Sequence, residues 1–186
     1  MTAMPRVLAV CAVHELHPDA GPVGVTGIDK RPLDGPVRVG PYGVRADVQA
    51  SRRHHGGLDK AVYAYAQEDA EFWEQELGRA VPPGLFGENL RTEGIDVNAV
   101  VVGEQWQVGE RLILEVTSPR TPCATFARWL GAPHERGWVK RFADERRLGP
   151  YFRVVRSGDA QAGDEIVVLS RPEAAPTILD VFAGWS

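Results

Sequence analysis

Glycine and proline punctuate this chain so densely that long uninterrupted elements have little room: 20 glycines and 14 prolines among 186 residues. The apolar runs left between them are short and valine-rich, as in "RVLAVCAV", "VRVG", "AVVVG", "RLILEV", "FRVVRS" and "DEIVVLS". Short β-branched runs bounded by Gly and Pro read as strands. Two of them, "VGERLILEV" and "AGDEIVVLS", share a glycine and an acid ahead of alternating apolar positions, the chemistry of a tight turn entering a strand. "AVYAY", Ala61 to Tyr65, alternates and also reads as a strand. Helical spacing is confined to three places. "QEDAEFWEQELG" carries Phe72, Trp73 and Leu77 and stops at Gly78, and "CATFARWLG" carries Phe126, Trp129 and Leu130 and stops at Gly131. "PHERGWVKRFADERRLG" carries Trp138, Val139, Phe142 and Leu148 ahead of Gly149-Pro150. The expectation is a mainly β fold, a closed or nearly closed barrel with inserted helices, in a single domain over residues 1–186.

The totals exclude several classes. Arg and Lys number 21 against 25 acids, a net charge of -4, which argues against a general nucleic-acid binder. The apolar run Val7–Val13 is too short to span a membrane and lacks a signal-peptide cleavage pattern, so a soluble cytoplasmic protein with reduced thiols is expected. Nucleotide-binding glycine loops, HExxH, GxSxG and paired CxxC motifs are absent.

Four segments hold the candidate chemistry. "SPRTPCATF" sets Cys123 after two prolines, between a strand and a helix. Pro119 and Pro122 restrict the loop, Arg120 adds positive charge, and a helix start favours a thiolate, the nucleophilic and metal-binding form of cysteine. A buried, inert cysteine is the competing reading for Cys123, and the preferred one for Cys11 inside its apolar strand. "SRRHHGGLDKAVYAY" gathers Arg52, Arg53, His54, His55, Gly56, Gly57 and Lys60, where backbone N–H groups and cations could hold phosphate. Adjacent His54 and His55 point apart in an extended chain and make a poor pair for one metal. "GIDKRPLDGPVRVG" offers Lys30 and Arg31 ahead of a strand, and "LFGENL" places Glu88 and Asn89 after a glycine. Each of these last three, alone, reads as an ordinary turn.

In this order, over residues 27–123, "GIDKRPLDGPV", "HHGGLDKAVYAY", "LFGENL", "VGEQWQVGERLILEV" and "SPRTPC" resemble the MOSC family. That domain is shared with the C-terminal part of eukaryotic molybdenum cofactor sulfurases, and the likeness is greatest to its bacterial YiiM-like branch, with a core of about residues 6–169. The resemblance implies a barrel-like β fold and a bound molybdenum cofactor (molybdopterin). Cys123 matches the family cysteine that ligates molybdenum or accepts sulfur. Lys30 matches a basic position near the pterin phosphate. His54, His55, Gly56, Gly57 and Asn89 match the HHGG and FGEN motifs of the pocket, Arg120 matches the arginine of the cysteine loop, and Arg52 joins them as a phosphate cation. The activity implied is reduction of N-hydroxylated compounds, including N-hydroxylated base analogues, with electrons from a separate reductase and a proton from His54 or His55. The alternative is a non-catalytic carrier of molybdenum cofactor, or of sulfur as a Cys123 persulfide. Members of the branch often continue into a further C-terminal helical segment, whereas this chain ends at "RPEAAPTILDVFAGWS". That difference bears on electron delivery more than on cofactor binding. Pyridoxal phosphate finds no lysine with a suitable acidic partner.

Overall fold

The computed structural model describes residues 4–48 and 56–184. The valine-rich runs form strands β1 (Arg6–Val13), β5 (Val37–Gly40), β10 (Leu112–Pro119), β11 (Pro150–Arg156) and β13 (Ile166–Ser170). Between them lie β2 (His17–Pro18), β3 (Val25–Thr26), β4 (Lys30–Pro32), β6 (Gly43–Val44), β7 (Val62–Ala66), β8 (Leu90–Glu93), β9 (Gln105–Val108) and β12 (Gly158–Ala160). The helices are α1 (Gln67–Leu77), α2 (Ala124–Leu130), α3 (Trp138–Glu145) and α4 (Ile178–Ala183). Eight strands make one sheet in the order β13-β9-β10-β11-β7-β8-β1-β4, antiparallel except where β7 runs parallel to β8. Two small sheets, β12-β5-β6 and β2-β3, stand beside it.

Alternation decides which side of each strand is buried. Leu112, Leu114 and Val116 of β10 turn inward, and Leu114 lies opposite Trp106, whose ring meets Phe152 at 4.9 Å. Strand β7 is buried on both faces and separates two cores. Val62, Ala64 and Ala66 join the aliphatic core of the sheet. Tyr63 and Tyr65 face an aromatic core built from Trp73 of α1, Phe126 of α2, Trp138 and Phe142 of α3, and Phe86. The phenols stay satisfied there. Tyr63 donates to Leu148 O at 2.8 Å, Tyr65 donates to Arg147 O at 3.0 Å, and Trp73 Nε1 donates to Tyr65 Oη at 2.9 Å.

One expectation is met in part and two are corrected. The fold is mainly β with inserted helices, but no closed barrel forms among the described residues. The second edge of β1 is shared, its C-terminal half pairing with β4, so β13 reaches β1 only through an isolated bridge, Arg6–Glu165. "AVVVG" buries Val100 and Val101 yet is not a strand: Val101 makes one bridge to Thr177, and Gly103, at φ 87°, turns the chain. Helix α3 ends at Glu145, where Arg146 takes φ 56°, so Leu148 packs from beyond the helix and Val139 is exposed. The two look-alike turns lie side by side and flank β9: Gly109 N donates to Glu165 O at 3.0 Å.

Candidate functional site

Where the aromatic core meets the β2–β3 hairpin, a cavity of about 570 Å³ opens. Its wall brings together Lys30, Asn89, Arg120 and Cys123, four of the residues singled out in the sequence. Gly56 and Gly57 do not line it. Gly57, at φ 85°, starts the single turn Leu58–Lys60, and that turn delivers Lys60 to the wall. Arg52, His54 and His55 lie outside the described residues.

Cys123 caps the N-terminus of α2 in an extended conformation (φ −139°, ψ 168°), and its carbonyl accepts from Ala127 N at 3.2 Å. The thiol is half-buried. Cys11 differs in every respect: it is fully buried in β1, and burial, reinforced by the Glu88 carboxylate, pushes its thiol up to about 12. Of the two cysteines, only Cys123 has the exposure and position for chemistry.

The "FGEN" segment divides its labour. Glu88 is wholly buried and holds the loop, accepting from Gly84 N at 2.8 Å, Phe86 N at 3.1 Å and Arg91 Nε at 2.9 Å. Gly84, at φ 91°, lies so close to the backbone of Lys30 that a Cβ would collide with it, which ties the loop to β4. Asn89 knits β7 to β1. Its Oδ1 accepts from Tyr63 N at 3.2 Å, and its Nδ2 donates to Cys11 O at 3.2 Å and to Asp47 Oδ2 at 2.7 Å. Both amide protons are therefore committed within the chain.

Charge in the cavity is mostly paired. Lys30 Nζ donates to Asp47 Oδ2 at 2.6 Å. Arg128 of α2 grips Asp19 with two bonds of 2.8 Å, and Thr125 Oγ1 adds a third at 2.9 Å. The Arg128 hydrogen bonds hold the Asp19 carboxyl down at about 2 and fasten the β2–β3 hairpin to the helix that begins at Cys123. Arg120 is the exception. It is 5% exposed, makes no ion pair among the described residues, and its Nη1 has no hydrogen-bond partner. Its guanidinium lies 3.9 Å from the centre of the Phe126 ring and 5.6 Å from that of Tyr63. Burial raises the phenols of Tyr63 and Tyr151 against the opposing pull of this cation, so both remain protonated at neutral pH.

Sequence reasoning did not single out Asp19, Asp47, Tyr63, Thr125, Arg128 or Tyr151. Tyr63 and Arg128 lie inside motifs that were quoted, at positions that read as core or helix surface. Asp47, in "VRADVQA", carries no local signal.

A family model described as the MOSC domain matches residues 51–167, well over half of the chain. An uncharacterized protein, YflK, of Bacillus subtilis is 35% identical over 148 residues, which is 80% of this chain and 65% of that protein. A protein named Reductase from Gibberella moniliformis is 32% identical over 163 residues, 84% of this chain and 28% of that one. The chain thus spans less than two thirds of the length of either relative. Among solved structures, YiiM from Geobacillus stearothermophilus superposes with a TM-score of 0.77 at 27% identity, covering 97% of this chain and 83% of that one. Motif order, fold and these likenesses agree: the chain belongs to the MOSC domain family.

Proposed function

We propose that the chain binds molybdenum cofactor in the Cys123 cavity and serves as an oxidoreductase on N-hydroxylated compounds, including N-hydroxylated base analogues. The observation that carries this reading is the buried Arg120 guanidinium, with Nη1 unpartnered and no ion pair among the described residues, in the same wall as a half-buried thiol. A buried guanidinium with an unmet N–H donor costs free energy unless a ligand completes it, and an anionic group does so best. A thiolate suits a soft metal centre. The donor set therefore fits a metal held by one cysteine on an organic anion.

Cys123 would ligate the metal, and Arg120 would meet the anionic part of the cofactor with Lys30 nearby. Asn89 would frame the wall. Arg52, His54 and His55 are proposed as pocket groups, one histidine supplying a proton. The bound group would supply the two-electron couple. Converting an N-hydroxy group to N–H and water consumes two electrons and two protons, so an electron-donating reductase is required. Ile28 and Phe86 give the cavity apolar walls that limit water, while the protonated Tyr63 and Tyr151 add no negative charge. Among the described residues no helix is long and apolar enough to cross a membrane.

Half-burial of Cys123 also suits the second reading, a carrier of cofactor or of a Cys123 persulfide. To separate the two, the protein is expressed in a cofactor-producing host and wild type compared with Cys123→Ala. The enzyme reading expects near-stoichiometric molybdenum in wild type, its loss in the variant, and turnover of an N-hydroxylated base with an artificial reductant. Loading without turnover, with release to an apo-acceptor, would establish the carrier. Negligible molybdenum in both, beside a loaded control protein, would sink cofactor binding.

A further inference from the structure

Two cations in the cavity wall are already neutralised by carboxylates, and one of those carboxylates does more than pair. The side chains of Asp47 and Lys30 are 7% and 13% exposed. Asp47 Oδ2 accepts from Lys30 Nζ at 2.6 Å and from Asn89 Nδ2 at 2.7 Å, while Oδ1 accepts from Val13 N at 3.0 Å. One carboxylate thus joins the end of β1, the start of β4 and the residue before β8. Val13 and Lys30 are themselves cross-strand partners, so the anchor and the ammonium it holds lie at one register position. A lysine stem has four rotatable carbons and loses substantial rotamer entropy when fixed, so a defined ammonium position needs a partner such as this. The Asn89 amide has the same need. With Nδ2 divided between Cys11 O and Asp47, it cannot turn without breaking bonds on both β1 and Asp47.

We propose that Asp47 is a positioning residue of this cavity: it fixes the Lys30 ammonium and the Asn89 amide in the wall and cancels the charge of Lys30 there. Lys30 then offers its remaining N–H donors from a neutral pair, whereas Arg120 offers an uncancelled charge. This rests on the reading of the cavity as an anion site. The sign of its consequence is specific. Removing the Asp47 charge while keeping its shape exposes the charge of Lys30 and strengthens anion binding, where a purely structural residue would weaken it when lost.

The test uses the full chain and inorganic phosphate as probe. Asp47→Asn is expected to tighten phosphate binding roughly 3- to 10-fold, and the gain should vanish in Asp47→Asn/Lys30→Met. Unchanged or weaker binding in folded Asp47→Asn overturns charge cancellation. A second measurement addresses positioning without any ligand. The chain has three lysines, Lys30, Lys60 and Lys140, so 15N-lysine labelling gives a simple ammonium spectrum. Lys30 protons should exchange much more slowly than those of Lys140, whose side chain is 81% exposed, and Asp47→Asn should speed them. Equal exchange of Lys30 and Lys140 in wild type overturns positioning. If phosphate binds neither wild type nor any variant, or binds wild type and Arg120→Gln equally, the anion-site reading fails, and lysine exchange still decides the role of Asp47.

Discussion

Among the described residues two arginines are buried, and they are opposites. Arg91 is fully enclosed and fully satisfied: it donates to Glu88, to Gln67 Oε1 at 3.0 Å, to Val81 O at 3.1 Å and to Pro82 O at 3.2 Å. Arg120 is almost as buried, yet it rests on an aromatic face with Nη1 unmatched. The first has nothing left for a ligand and holds the "FGEN" loop. The second keeps one N–H donor unmet at the cavity, where we propose that an anion completes it. Burial by itself does not distinguish a staple from a binding group; the count of unmet donors does.

The contrast can be broken from either side. Arg91→Met strands the Glu88 carboxylate in the interior and should destabilise the protein by about 3–5 kcal/mol. Urea unfolding measures this, and a loss below about 1 kcal/mol would put Arg91 outside the role of staple. The cysteines repeat the contrast. With its thiol pushed up to about 12, Cys11 should react with iodoacetamide at pH 8 on the order of a thousandfold more slowly than an ordinary thiol. Peptide mapping of the native protein should find the label on Cys123.

Smaller effects sharpen the picture. The Asp19 carboxyl is held at about 2, below its unfolded value, by hydrogen bonds from Arg128. Its stabilisation is fully present above about pH 4 and fades as pH falls toward 2. Because Arg128 is partly exposed, we expect Asp19→Asn to cost only about 1 kcal/mol at pH 7, with wild type and variant converging near pH 2. A constant offset across pH 2–7 would mean that charge is not the cause. The least change to the fold is expected from Arg120→Gln. The lost ring contact and the removed orphan donor oppose one another, so stability should stay within about 1 kcal/mol of wild type.

Local pattern carried much of this architecture. The alternation of "RLILEV" gives the inward Leu112, Leu114 and Val116, Gly78 and Gly131 stop α1 and α2 where expected, and Cys123 falls at the start of its helix. What was illegible depends on partners distant in sequence. Whether the sheet closes is decided by which strand takes the second edge of β1, and no run of residues records that. Asp47 reaches Lys30 across 17 positions, and Asp19 reaches Arg128 across 109. Such pairings come from the fold as a whole, so no local signal announced that Asp19 and Asp47 would line the cavity. The motifs marked Arg120 as a candidate, but only the structure shows that its Nη1 has no hydrogen-bond partner.

The most direct measurement is molybdenum and released pterin per folded chain in Arg120→Gln beside wild type, both from a cofactor-producing host. The account predicts at least a tenfold drop in both, with unfolding unchanged within about 1 kcal/mol. Wild-type loading in the variant would contradict it, because the unmet Nη1 donor of Arg120 would then not be what the cofactor completes.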